Sequence, residues 1–117
     1  MHIRRFNPGE EPALFDIYYS AIHLIAIRDY TEEQVNAWAP SNPDKELWVR
    51  RMRGINPFVA EIEDKLVGYA DVQENGYIDH FFVSGRHPRK GIGRSLMQVL
   101  ESEAERLGVT ELTSDVS

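Results

Sequence analysis

The chain has 117 residues, of which 42% are apolar and none is cysteine, and its formal net charge is -6. This length suffices for one domain, residues 1–117, while the lack of thiols excludes a disulfide framework, a thiolate zinc site and a cysteine nucleophile. The negative charge disfavours nucleic acid as a partner, and the chain has neither a signal peptide's apolar run nor the roughly 18 apolar residues of a membrane span. We therefore expect a soluble, cytoplasmic protein with no metal.

The first half of the chain is predicted to contain one strand and three helices. Polar and apolar residues alternate at the N-terminus, after which apolar residues recur with the helical period. Thr31 and Gln34 stand at the spacing of a capping box, and Pro40 ends the short helix that they begin. The predicted strand covers residues 2–6, and the helices cover residues 10–27, 31–38 and 42–54.

The second half is predicted to contain an antiparallel meander, a helix and a last strand. Asn75-Gly76 is the strongest hairpin signal, because both residues accept the positive φ of a type I′ turn. Gly108 ends an amphipathic helix, whose right-handed crossover should make the last strand parallel to the third meander strand. The meander strands are residues 58–62, 66–72 and 77–83, the helix is residues 92–107, and the last strand is residues 109–116.

Positive charge is concentrated between the third meander strand and the last helix. Four of the 13 basic residues lie there within nine positions. They are Arg86, Arg89, Lys90 and Arg94. A helix N-terminus binds phosphate through its unpaired N–H groups, and Gly91 and Gly93 would let such a ligand approach closely. The segment suits a small polyphosphate such as a pyrophosphate.

Other interpretations of this glycine segment are weaker or fail. A lone Gly-x-Gly before a helix is often only a tight turn. A dinucleotide fingerprint needs a third glycine where Leu96 stands, and a P-loop needs a Gly-Lys-Ser/Thr run that is missing.

The residues around this segment resemble a known family. The run Phe81-Phe82-Val83, followed by Arg89-Lys90-Gly91-Ile92-Gly93-Arg94-Ser95-Leu96, is similar to the acetyl-CoA motif of the GNAT N-acetyltransferases, whose pattern is Gln/Arg-x-x-Gly-x-Gly/Ala. The resemblance implies an α+β fold with a mixed, mostly antiparallel sheet flanked by helices. It also implies transfer of an acetyl group from acetyl-CoA to an amine of a small molecule or a peptide, within a bacterial branch of the family.

The resemblance also implies roles for particular residues. The strand residues would bind the pantetheine arm of acetyl-CoA, and the glycine segment would hold its pyrophosphate. These cofactor-binding residues are Phe81, Phe82, Val83, Arg89, Lys90, Gly91, Ile92, Gly93 and Arg94. Pro88 departs from the motif, because it replaces the first Gln or Arg and has no N–H to donate. Six further residues lie where the family places its acceptor-binding helices, and most of them are expected in the core or at the rim: Tyr18, Tyr19, Arg28, Asp29, Tyr30 and Trp38.

Acyl transfer needs a base for the ammonium proton, and Asp79 is the candidate. It lies two residues before Phe81, although an ordinary solvent-facing acid would look the same in the sequence. His80 should point to the opposite face, so that only one of the two can face the cleft. Glu61 and Asp71 are weaker candidates that we expect to be surface charges.

The printed sequence ends at Ser117, whereas family members usually continue into a helix with a tyrosine that protonates the leaving thiolate. The resemblance therefore implies a domain incomplete at its C-terminus, and its open strand edge favours a homodimer. Two functions stay open at this point. One is an N-acetyltransferase, and the other is a non-catalytic CoA-binding or interaction module with the same fold.

Overall fold

The structure is a computed structural model, and it describes residues 1–24, 28–40, 43–87 and 91–114. Its elements follow the predicted order. One strand and three helices come first, and the other strands and the last helix follow. They are β1 (His2–Arg5), α1 (Glu11–Leu24), α2 (Glu32–Trp38), α3 (Lys45–Ile55), β2 (Phe58–Ile62), β3 (Lys65–Ala70), β4 (Tyr77–Ile78), β5 (Phe81–Val83), α4 (Ile92–Leu107) and β6 (Thr113–Ser114). No helix in these described ranges is long and apolar enough to cross a membrane.

The short helices begin at side chains that cap them. Thr31 Oγ1 accepts a hydrogen bond from the Gln34 N–H at 3.1 Å, and Gln34 Oε1 accepts one from the Thr31 N–H at 3.0 Å. The predicted capping box is therefore confirmed. Asp44 caps α3 in the same way, since its carboxylate accepts from the Leu47 N–H at 3.1 Å. Each cap satisfies a backbone donor that the helix itself leaves free.

Four strands form an antiparallel sheet in the order β1-β2-β3-β5. The β2–β3 hairpin turns at Glu63 and Asp64, which both have positive φ (50° and 65°). The predicted type I′ turn at Asn75-Gly76 is wrong. Only Gly76 has positive φ there, at 84°, and its N–H closes a turn onto the Gln73 carbonyl at 2.8 Å.

The predicted third meander strand, residues 77–83, is divided in two. β5 pairs antiparallel with β3, whereas β4 pairs in parallel with β6 in a separate two-stranded sheet. Asp79 and His80 lie between these two pieces. The predicted parallel pairing of the last strand is confirmed, but that strand is only Thr113–Ser114 within the described residues, and residues 115 and 116 of the predicted span lie outside them.

The core consists of two hydrophobic clusters separated by the sheet. Adjacent strand residues belong to different clusters because side chains alternate between the faces of a strand, as Tyr69 and Ala70 do. α4 packs closely on one face, where a Cβ placed on Gly68 would lie 2.9 Å from Ile92 Cγ2 and 3.1 Å from Leu96 Cδ1. Truncating the fully buried Leu96 to Ala would cost about 2–5 kcal/mol by leaving a cavity under α4.

Candidate functional site

The division of the third strand leaves one edge of β5 open. In an antiparallel ladder the hydrogen-bonded residues alternate. The Ser84 N–H donates to the Val67 carbonyl at 2.8 Å, and the Asp71 N–H donates to the His80 carbonyl at 3.1 Å. The backbone N–H and C=O groups of the even-numbered residues in this segment therefore point toward β3. The backbone groups of Phe81 and Val83 therefore point to the other edge, where no strand of the described chain pairs with β5.

The N-terminus of α4 packs over the side chains of this strand. Its N-cap, Gly91, has φ of +73° and no side chain to accept from the first turn, so the N–H groups there are not capped. A Cβ on Gly93 would lie 3.8 Å from both Phe81 Cε1 and Val83 Cγ2. The helix N-terminus, whose free N–H groups can bind an anion, therefore lies over the same strand that has an open edge.

The other predicted cofactor residues divide into three groups. The Ile92 side chain is buried in the core, so only its backbone N–H can face a ligand. Arg94 is exposed in the first turn of α4. Pro88, Arg89 and Lys90 lie outside the described residues.

The loop that leaves β5 is fixed to α1. The Gly85 N–H donates to Ser20 Oγ at 3.1 Å, and a Cβ at Gly85 would come within 2.5 Å of the Ser20 carbonyl oxygen. Ser84 Oγ in turn accepts from the Arg86 N–H at 3.3 Å. Because only glycine fits against the α1 backbone here, the start of the basic segment has a fixed position.

A buried carboxylate holds the break between β4 and β5. Asp71 is fully buried, and its side chain accepts hydrogen bonds from the His80 N–H at 2.6 Å, the Asp79 N–H at 3.4 Å and Gln73 Nε2 at 2.6 Å. The prediction that Asp71 is a surface charge is wrong. In a regular antiparallel ladder the His80 N–H would donate to a backbone carbonyl of β3. Here it donates to the Asp71 carboxylate instead, and this contact bends the chain out of the strand.

This bend places both Asp79 and His80 on one cleft. The prediction that only one of them could face it is wrong, because strict alternation holds only in a regular strand. Asp79 is exposed and its carboxylate has no hydrogen bond or ion pair within the described chain. Glu61, the other alternative, forms an ion pair with Arg4 Nε at 3.7 Å.

His80 is buried beneath the cleft and bonded to Tyr69. Its Nδ1 lies 2.9 Å from the Tyr69 hydroxyl. Burial lowers the pKa of His80 and raises the pKa of Tyr69 well above its usual value, so the pair holds a neutral imidazole and a protonated phenol at pH 7. The phenol donates to Nδ1, which assigns the imidazole proton to Nε2. With this assignment Nε2 of His80, a residue that lines the cleft, is a hydrogen-bond donor.

The cleft, which we call the aromatic cleft, has a volume of about 280 Å³. Its walls come from α1, α2, α3 and the break before β5. The lining residues are Phe15, Tyr18, Trp38, Pro40, Pro43, Asp44, Leu47, Trp48, Arg51, Asp79, His80 and Phe82. Of the six residues expected on acceptor-binding helices, Tyr18 and Trp38 line the cleft, whereas Tyr19 stacks on His23, and Arg28, Asp29 and Tyr30 do not line the cleft.

Trp48 and Arg51 are two of the lining residues that were not predicted from the sequence. Trp48 stacks on Tyr18 with ring centroids 5.2 Å apart and an interplanar angle of 7°, and Arg51 lies one turn further along α3. Their spacing of three residues on a helix was the available signal. Among the described residues, no group of three His, Asp or Glu side chains could hold a metal ion.

Comparisons with known proteins agree on one family. The family model of the acetyltransferase (GNAT) domain matches residues 26–117. An uncharacterized N-acetyltransferase of Escherichia coli (strain K12), YafP, is 30% identical over 106 residues, which are 90% of this chain and 69% of that protein.

Solved structures agree in fold. The crystal structure of a GCN5-related N-acetyltransferase from Rhodopseudomonas palustris, also described as a class-II aminotransferase, matches with a TM-score of 0.91 and 28% identity over 99% of this chain and 72% of its own. The PaiA N-acetyltransferase of Thermoplasma acidophilum, solved in complex with coenzyme A, matches with a TM-score of 0.73 over 92% of this chain and 74% of its own. At 17% identity, that second likeness concerns the fold alone.

Proposed function

This chain belongs to the GNAT acetyltransferase family, and on that premise we propose that it moves the acetyl group of acetyl-CoA directly to the amine of a small molecule or a peptide. One observation carries the proposal. β5 has an open edge and begins two residues after Asp79, which lines the aromatic cleft, and the N-terminus of α4 packs over the same strand, so that a cofactor surface and an acceptor cleft would meet beside Asp79.

The cofactor surface fits a ligand with amides at one end and a pyrophosphate at the other. The backbone groups of Phe81 and Val83 can pair with amides of the pantetheine arm, as a further strand would. The first-turn amides at Gly91, Ile92 and Gly93 can bind the pyrophosphate, with added positive charge from Arg89, Lys90 and Arg94. Acetyl-CoA supplies the acetyl group in activated form, as a thioester.

Asp79 is proposed as the general base. An amine is protonated at neutral pH and must lose a proton to become a nucleophile, and a carboxylate beside the cleft can accept that proton. His80 is a poorer candidate, because its Nδ1 already accepts from Tyr69 and its Nε2 carries the proton. The new bond joins the amine nitrogen to the acetyl carbon and the carbon–sulfur bond breaks. The nitrogen then loses a second proton, which the leaving thiolate takes up, so that coenzyme A departs as the thiol.

Calorimetric titration with acetyl-CoA tests the cofactor half of this proposal. We expect binding to the protein and its loss in Gly93→Glu, which places a carboxylate among the amides that would hold phosphate. Gln98→Glu is the matched control, since it adds the same charge on the exposed side of α4 beyond the first turn. Equal affinity in both variants would contradict the assigned anion site.

Release of coenzyme A thiol in the presence of amines tests the catalytic half. Thiol release that depends on an added amine supports the transferase, and mass spectrometry of the amine should show the acetyl group. Binding of acetyl-CoA without transfer to any amine would replace this proposal by the alternative, a non-catalytic CoA-binding module.

A further inference from the structure

The walls of the aromatic cleft consist largely of aromatic side chains and carry few free polar groups. The Tyr18 hydroxyl donates to the Trp38 carbonyl at 2.9 Å, and Trp48 Nε1 donates to the Glu11 carbonyl at 2.9 Å. Both rings are therefore held by the protein through their polar atoms. Trp38 and Leu47 extend this wall outward, with exposed fractions of 45% and 56%. Such a surface binds a flat apolar group better than a polyhydroxylated one.

One cation and one carboxylate that form no ion pair within the described chain line this cleft. Arg51 and Asp79 both line it, and within the described chain neither forms an ion pair, with each other or with another residue. Asp44 also lines the cleft, but its carboxylate caps α3. By contrast Arg53, two residues after Arg51, is paired with Glu11 at 2.9 Å. The structure thus leaves one cation and one carboxylate for a ligand.

The free cation lies at the end of the cleft where the reaction is proposed to occur. Burial dominates the pKa shifts of Tyr18, Tyr69 and His80, and the positive charge of Arg51 additionally lowers the pKa of each. Trp48, one turn before Arg51 on α3, has its ring centroid 6.0 Å from that of His80, and His80 is the neighbour of Asp79, so both charges lie on the side of the cleft that adjoins β5. A guanidinium offers a planar pair of donors that matches a carboxylate.

We propose that the acceptor is a free amino acid with a flat apolar side chain. This inference rests on the proposed transferase function and names its substrate class. Asp79 faces the amine, Arg51 binds the carboxylate beside it, and the Tyr18–Trp48 wall packs against the side chain. Aminoglycosides and polyamines fit worse, because they bring several cations and no carboxylate to a cleft that contains Arg51.

The test compares three amines that differ by one group each, with coenzyme A thiol release as the readout. They are L-phenylalanine, phenethylamine, which lacks the carboxylate, and L-alanine, which lacks the ring. We expect kcat/KM for phenylalanine to exceed that for phenethylamine by about 10- to 100-fold, the range of one charge-assisted hydrogen-bonded contact. L-Alanine should be weaker than phenylalanine by about 10-fold or more, because it leaves the apolar wall uncovered.

A variant pair ties this preference to Arg51. Arg51→Gln should lose most of the preference for phenylalanine over phenethylamine, whereas Arg50→Gln should keep it, since Arg50 is exposed on the same helix and does not line the cleft. Comparing the ratio of kcat/KM for phenylalanine to that for phenethylamine between the variants cancels any effect of a substitution that is common to both substrates. Unchanged acetyl-CoA binding in Arg51→Gln shows that the variant is folded.

The outcomes separate the two proposals. Turnover of phenethylamine, spermidine or kanamycin equal to or better than that of phenylalanine overturns the substrate class and leaves the transferase function standing. A preference that survives in Arg51→Gln overturns the assigned carboxylate contact. Acetyl-CoA binding without turnover of any amine overturns the transferase function, and the inference with it.

Discussion

The two halves of the site are built from different parts of the chain. The proposed cofactor surface consists mainly of backbone, namely the outer edge of β5 and the first turn of α4, whereas the aromatic cleft consists of side chains from three helices and a bend. An anion site made of backbone N–H groups needs only glycines at the start of a helix, and that local pattern can be recognised in the sequence. Side chains that meet from distant elements leave no local pattern. Cofactor use is thus visible in one sequence, and acceptor choice is not.

Replacing the proposed base, Asp79, should have the largest effect on catalysis, and it should leave acetyl-CoA binding almost unchanged. We expect Asp79→Asn to lower kcat by about 10²- to 10⁴-fold, the usual contribution of a general base, while calorimetry gives an acetyl-CoA affinity within about threefold of wild type. Glu74→Gln is the control, an exposed acid in the turn before β4. If Asp79→Asn keeps most of the wild-type kcat, the base must be another group.

Removal of the buried carboxylate should disturb both halves through the backbone. Asp71→Leu leaves the N–H of His80 and the amide of Gln73 without this acceptor, so we expect a loss of about 2–4 kcal/mol in the free energy of unfolding, measured by urea denaturation. The milder Asp71→Asn keeps one acceptor oxygen and should lower kcat more than it weakens acetyl-CoA binding. A kcat equal to wild type in a folded Asp71→Asn would contradict its role in positioning Asp79 and His80.

Loss of the Trp48 hydrogen bond should give a smaller effect, confined to the acceptor half. Trp48→Phe keeps an aromatic ring but removes the donor to the Glu11 carbonyl, which should destabilise the protein by about 1 kcal/mol and raise KM for the acceptor without changing acetyl-CoA affinity. Thermal denaturation and steady-state kinetics measure the two quantities. A weaker acetyl-CoA affinity would show that the two halves are coupled.

The smallest effect expected is a pH dependence of stability from His80. Because burial lowers its pKa in the folded state, the unfolded state binds the extra proton more readily, and stability should fall as the pH drops below about 6.5. His80→Gln should remove this part of the slope. The lowered pKa values of Glu10 and Glu11 act in a separate window, since stability that they contribute is lost only as the pH falls below about 4.5. An unchanged slope in His80→Gln would rule out this linkage.

The regular elements of this fold follow from local sequence signals. The last helix was predicted at residues 92–107 and is found there, because its apolar period and Gly108 act over neighbouring residues. The capping box at Thr31 and Gln34 is equally local. The family resemblance of the segment at Gly91 and Gly93 agrees with the matched family model.

What could not be predicted depends on contacts between residues far apart in the chain. Residues 77–83 have the pattern of a continuous strand, and nothing nearby indicates that the Asp71 carboxylate will be buried and will bind the N–H of His80. The unpaired state of Arg51 beside the paired Arg53 depends on where Glu11 lies, at the start of a helix more than 40 residues earlier. Sequence periodicity carries no information about such pairs.

The pairing of the strands also fixes an order in which the chain can fold. β1 pairs with β2 in the register His2↔Glu61, so three helices are synthesised before the first strand has a partner. β4 likewise finds its partner only when Thr113 and Ser114 are available. Closing such long loops costs entropy before the contacts form. The parallel pairing of β4 with β6 should therefore form only after α4 has been synthesised.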